Sequence, residues 1–238
     1  MLAVFKRDIL SYFTTPTGYV FMAIFLAVNG GVFSLSTIQE GTDSSPSRYF
    51  STMILALIVL LPILTMRSFS EEKRQKTEQL LMTSPVSLGG LVFGKFLAAY
   101  VIFTGTFLIG CLNFIALYRF AAEDKPNGAV LLGSVIAVLL IGSAFVAVGL
   151  FISSLTESQV IAAIGTMAVT GGFLVIGMLN SYIPFAPLRE ALGWLSVYSR
   201  FSNFTYGILD FGALVYYLSI TFVFQFLTVR IYEKRRWA

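Results

Sequence analysis

Six runs without a single charged side chain, at residues 18–38, 50–66, 96–118, 129–155, 159–182 and 211–229, leave this chain few ways to fold. Each is close to or above the roughly 17 to 25 residues that a helix needs to cross hydrocarbon. Inside a bilayer every backbone N–H and C=O must be satisfied by the chain itself, which admits helices or a closed barrel. Barrel strands alternate apolar and polar positions, and these runs do not. Charged residues make up 12% of the chain and hydrophobic ones 57%, against about 25% charged in soluble proteins. The expectation is an all-α integral membrane protein with six transmembrane helices, forming a single transmembrane domain over residues 1–238. The first run is too long for the apolar core of a signal peptide and no small-residue cleavage site follows it, so it reads as a span.

Orientation follows from the basic residues. Lys6, Arg7, Arg67, Lys73, Arg74, Lys76, Lys95, Arg230, Lys234, Arg235 and Arg236 fall on one side of this topology, and Arg48, Arg119, Lys125, Arg189 and Arg200 on the other. An excess of Lys and Arg marks the cytoplasmic side, so both termini and the 67–95 connection are expected in the cytoplasm of a bacterial inner membrane. Because the cations flank spans, the net charge of +4 reports the lipid bilayer as partner and not nucleic acid. The chain has no His, which removes imidazole metal sites, Ser-His and Cys-His nucleophile pairs and His proton relays. The lone Cys111 reads as a small buried apolar group. No catalytic, cofactor or metal residue is expected.

Residues 2–15 read as an interfacial amphipathic helix, with Leu2, Phe5, Ile9, Tyr12 and Phe13 on one face and Arg7, Ser11, Thr14 and Thr15 opposite. Thr15-Pro16 ends it, since a residue before proline avoids helical angles. Residues 183–207 hold Arg189, Trp194, Tyr198 and Arg200 between two prolines and a final Gly. They are too aromatic for a solvated loop and too charged for a span, and aromatics of this kind favour the headgroup layer. Asp210, at the start of the sixth run, reads equally as a helix N-cap or a functional carboxylate.

The longest charged stretch, residues 67–87, lies between the second and third runs. Ser68-x-x-Glu71 has the pattern of a capping box, and Glu72/Lys76 and Arg74/Glu78 are opposite-charge pairs at helical spacing. Leu80, Leu81 and Met82 supply an apolar tip, and Pro85 stops the helix. A rigid charged helix with an apolar tip suits docking into a groove of a soluble partner; a positive-inside anchor with a solvated helix suits the same charges. Downstream, Gly89-x4-Gly94-Lys95 imitates the start of a phosphate-binding loop. Phe96 stands where a Ser or Thr must hold Mg²⁺, so nucleotide binding is discounted. The glycines are expected to bend the chain as it re-enters the membrane, with Lys95 snorkelling to the interface.

Glu71-Glu72-Lys73-Arg74, Thr77-Glu78-Gln79-Leu80-Leu81, Ser84-Pro85-Val86-Ser87 and Gly94-Lys95 together resemble the coupling segment of ABC-2-type permeases, in particular the gliding-motility and copper-processing kind. The resemblance implies an exporter's transmembrane subunit whose 67–95 segment meets a separate ABC ATPase, present in two copies, that binds ATP and Mg²⁺. It also implies a second permease copy or a homologous permease, an accessory membrane-anchored external protein, and a short external re-entrant element at 183–207. Glu71, Glu72, Arg74, Thr77, Glu78, Leu80, Leu81, Met82 and Pro85 then become the ATPase-coupling residues. Within the spans, Asn29, Asn113, Asn180 and Gln225 read as interhelical glue or as pathway contacts. Mid-membrane ionisable groups are lacking, which disfavours a proton- or sodium-driven pump. The rival reading is a membrane scaffold or facilitator with no ATP coupling; a neighbouring reading frame with G-x-x-x-x-G-K-[ST] and no span separates the two.

Overall fold

The computed structural model describes residues 2–38, 46–77, 87–115, 128–179, 193, 196–208 and 210–237. Every regular element among them is helical. Among the described residues six helices are long and apolar enough to cross a membrane. An N-terminal helix α1 (Leu2–Thr14) leads into α2 (Pro16–Phe33), which ends in a π-helical turn over Ser34–Ile38. Then come α3 (Pro46–Thr65), a short α4 (Ser70–Arg74), α5 (Leu88–Cys111) and α6 (Gly128–Leu155). The chain closes with α7 (Gln159–Leu179), α8 (Val197–Thr205) and α9 (Phe211–Trp237).

Helix α6 is the hub, in contact with α3, α5, α7, α8 and α9. Its sequence explains why. Between lipid tails there is no hydrophobic gain from bringing helices together, so close packing of small residues does the work. The ring of Phe103 on α5 lies where a Cβ on Gly142 would stand, and Thr65 on α3 fills the same space at Gly149. Four residues beyond Gly149, one turn along the same face, comes Ser153.

At the end away from the N-terminus, Phe33, Tyr49, Phe50 and Phe114 form an aromatic cluster with ring centroids 4.9–6.1 Å apart. Asn29 Nδ2 donates to Tyr49 Oη at 2.6 Å, and Asn113 Nδ2 reaches Asn29 Oδ1 at 3.5 Å. Both asparagines are thus occupied in joining α2, α3 and α5. Gln225 Nε2 is buried without a hydrogen-bond partner among the described residues, and Asn180 lies outside them.

Three expectations about helix bounds and faces are corrected. Helix α5 starts at Leu88, eight residues before the expected span, and Gly89 to Lys95 are helical rather than bent. The face of α1 turned inward carries Val4, Phe5, Asp8, Ile9 and Tyr12, while Leu2 and Phe13 are exposed. Val4 and Asp8 take the places of Leu2 and Phe13 on that face, and Asp8 is there because it has a buried cation to meet. Finally, the helix after Arg67 does not run on unbroken to Pro85: Gln75 is its C-cap, and Lys76 leaves helical geometry at φ +57°.

Candidate functional site

The charged segment after α3 is tied to the bundle at two junctions. At Lys76 the backbone forms a Schellman C-cap: Thr77 N–H bonds to Glu72 O at 3.0 Å and Lys76 N–H to Lys73 O at 3.1 Å. That motif wants a left-handed residue, usually Gly, and closes the helix whatever follows. The capping box expected from Ser68 and Glu71 does not form. Glu71 instead receives a bidentate fork from Arg67, Nε to Oε2 at 2.7 Å and Nη2 to Oε1 at 2.8 Å. A planar guanidinium matches a carboxylate better than one backbone N–H does.

The first junction joins α4 to α1 and α5. Glu72 Oε1 accepts from Arg7 Nη2 at 2.9 Å and from Lys95 Nζ at 2.8 Å. The Lys95 side chain is 3% exposed, and its Nζ also meets Ser68 O at 2.9 Å and Asp8 Oδ2 at 3.3 Å. Its ammonium lies 5.1 Å from the Phe69 ring centroid. Lys95 therefore does not snorkel. A buried lysine is tolerated only when its charge is met, and here two carboxylates and a carbonyl meet it. Glu72 is engaged here instead of with Lys76. Tyr12 Oη donates to Leu64 O at 3.2 Å, holding α1 against the end of α3. Arg7, Asp8, Arg67, Glu71, Glu72 and Lys95 line one cavity of about 350 Å³.

The second junction joins α4 to α6 and α9. Ser153 Oγ, fully buried, accepts from Phe69 N at 3.2 Å and Ser70 N at 3.1 Å, and donates to Met66 O at 3.1 Å. The first N–H groups of any helix lack partners within it; those of α4 are capped by a serine from another helix. The last carbonyls of α6 are met in return, Leu155 O by Lys73 Nζ at 3.2 Å and Ser154 O by Arg235 Nη2 at 3.1 Å. Cations at a helix C-terminus also match its dipole. Phe69 packs against Tyr232 of α9, the rings tilted by 40° with centroids 5.1 Å apart.

The geometry sorts the residues singled out from sequence. Glu71 and Glu72 sit in the first junction, Arg74 is exposed, and Thr77 closes the C-cap. Glu78, Leu80, Leu81, Met82 and Pro85 lie outside the described residues. The phosphate-loop imitation is part of α5, so its backbone N–H groups serve the helix and its lysine is already paired. Arg7, Asp8, Tyr12 and Ser153 were not expected at this site. For Ser153 a signal existed: Gly149 and Ser153 are small residues four apart at the end of a span. For Asp8 and Lys95 none did, because only the fold brings residues 87 positions apart together.

At the opposite end, Val197, Phe201 and Phe204 of α8 are buried at helical spacing, and α8 packs on α6 and α7. Tyr198 lies beside Gly177 of α7, and the Arg200 guanidinium stands 4.4 Å above the Tyr216 ring. Arg189 and Trp194 lie outside the described residues. Asp210 is an N-cap: Oδ1 accepts from Gly212 N at 2.8 Å and Ala213 N at 3.3 Å. Its Oδ2 accepts from Asn203 Nδ2 at 3.0 Å. The Asn203 amide, then the Ala213 and Gly212 N–H groups, hold its carboxyl below the usual range.

The sequence profile of a family described as ABC-2 family transporter protein matches residues 14–237. This chain belongs to that family. It is a multi-pass membrane permease of the ABC transporter system, a setting in which ATPase partners accompany the membrane subunit. No curated protein matches the chain. The segment tied down by the two junctions belongs to the longest charged stretch of this ABC-2 permease, and Arg74, Gln75 and Lys76 are exposed on its surface.

Proposed function

We propose that this permease is the transmembrane subunit of an exporter driven by a separate ATPase, and that the segment following α3 is where the ATPase docks. The observation that carries this reading is the double tether of α4. A charged surface segment serving only as a positive-inside anchor needs no buried attachment. Here the segment is bonded to α1 and α5 through Glu72, and to α6 and α9 through Ser153 and Phe69. A push on it reaches four helices at once.

In this reading the face with both termini and α4 is cytoplasmic, in accord with its share of the Lys and Arg residues. Two permease copies, or this chain with a homologous one, enclose a central pathway, and two ATPase subunits draw their coupling segments together or apart. The chain contributes pathway and lever, and ATP with Mg²⁺ belongs to the partner. Gly142 and Gly149, where α5 and α3 approach the hub, are where helices slide between inward- and outward-facing arrangements.

The test is assembly and coupling with the ATPase encoded beside the permease. Leu80→Asp places a charge in an apolar docking contact, costing several kcal/mol unless the contact opens. It is expected to lose co-purification with the ATPase while remaining inserted in the membrane. Normal co-purification and normal transport by this variant would reduce the segment to an anchor.

A further inference from the structure

On the same face as α4, but outside both junctions, a cleft of about 800 Å³ opens between the first turn of α5 and the last turns of α9. Arg230, Lys234 and Arg236 line it from α9, with Ser87, Leu88 and Gly89 opposite. Among the described residues the cleft carries one carboxylate, Glu233, and Arg230 Nη1 already binds it at 2.6 Å. Two cations remain, and Lys234 and Arg236 have no ion-pair partner among the described residues. Ser87 Oγ accepts from Gly90 N at 3.2 Å and so fixes the opposite wall.

Depth decides what this charge is for. Helix α9 is continuous from Phe211 to Trp237, apolar to Val229 and charged beyond. The cleft lies where the apolar run ends, which in a bilayer is the level of the lipid phosphates. Phe222 and Phe226, 72% and 46% exposed, form one i,i+4 ridge with Arg230 and Lys234. The Arg230 guanidinium rests 4.8 Å above the Phe226 ring. Apolar surface for an acyl chain thus runs without a break into cations for a headgroup. We infer that this cleft is a binding site for an anionic phospholipid, whose phosphate is held by Lys234 and Arg236 beside the Arg230–Glu233 pair while a chain lies along Phe222 and Phe226. Soluble phosphates meet the same cations but leave the aromatic ridge bare, and the ridge favours the lipid.

The test uses the full chain, delipidated in a neutral detergent, with thermal unfolding followed as phosphatidylglycerol is added. A ligand that binds the folded state raises the melting temperature saturably. Wild type is expected to respond to phosphatidylglycerol and not to phosphatidylcholine of the same chains. Lys234→Gln/Arg236→Gln is expected to weaken the apparent affinity about thirty-fold, each basic group near the surface being worth about five-fold. Arg236→Gln alone, at about five-fold, carries the test if the double variant does not purify. Removing the same charge at Lys6 and Lys76, on this face but off the cleft, is expected to leave the response intact. An equal loss in that control, an unchanged response in the cleft variants, or a shift reproduced by glycerol phosphate or inorganic phosphate would overturn the lipid assignment.

Discussion

Two side chains carry most of what holds the charged turn in place. Ser153 makes three hydrogen bonds with one hydroxyl, and Ser153→Ala leaves two buried N–H groups without that partner, while the Met66 carbonyl keeps the Ser70 hydroxyl. Each buried group so stranded costs about 1–3 kcal/mol. We expect a folded protein with lowered thermal stability and faster hydrogen exchange confined to residues 66–77; Ser153→Thr, which keeps the hydroxyl, is expected to restore slow exchange. Glu72→Gln acts on the other junction. It removes the charge that Arg7 and Lys95 share, leaving Lys95 with Asp8 and the Ser68 carbonyl. A charge-assisted bond of this kind is worth about 1.5–3 kcal/mol. Its loss is expected to lower the melting temperature in detergent and, in the assembled transporter, to reduce substrate moved per ATP. Unchanged values for both would mean that the first junction transmits nothing.

At the level of elements, sequence and structure part company where long-range contacts set the local geometry. The six spans were legible because hydrocarbon demands long charge-free helices, and a run of apolar residues announces one. The start of α5 was not. Lys95 reads as a boundary only if its charge must reach water, and Asp8 and Glu72 remove that need. The end of α4 was hidden too, since its left-handed residue is Lys76 and not the glycine that signals a C-cap. A non-glycine residue there is strained by roughly 1–2 kcal/mol. Lys76→Gly is accordingly expected to preserve the turn and raise its stability, read as slower exchange at Thr77, whereas Lys76→Val is expected to open it. The cap of α9 responds to pH. Because the folded state holds the Asp210 carboxyl below its ordinary range, the cap contributes stability above the unfolded value and loses it as pH falls through the lowered folded one. Wild type should therefore be more stable than Asp210→Ala at neutral pH, and the difference should vanish in acid.

Taken whole, the permease is a bundle built on one small-residue helix, with a charged turn fastened to both flanks of that helix at one end. Packing at the hub leaves little slack. Gly142→Ala sets a methyl against the Phe103 ring at about 2.1 Å, so α5 or the ring must give way, and overpacking of this sort costs about 1–3 kcal/mol. Its effect on transport is expected to exceed its effect on ATPase assembly, since α4 is untouched. The face that the ATPase meets decides whether α4 is the docking segment. The direct measurement places a photo-crosslinking residue at exposed Gln75, beside the C-cap of α4, or at exposed Arg48, at the start of α3 on the opposite face, in living cells. Cross-linked products are then identified by mass spectrometry. An adduct with an ATPase bearing G-x-x-x-x-G-K-[ST] from Gln75 and none from Arg48 is the predicted result. An ATPase adduct from Arg48, or none from Gln75 while the ATPase co-purifies, would contradict it.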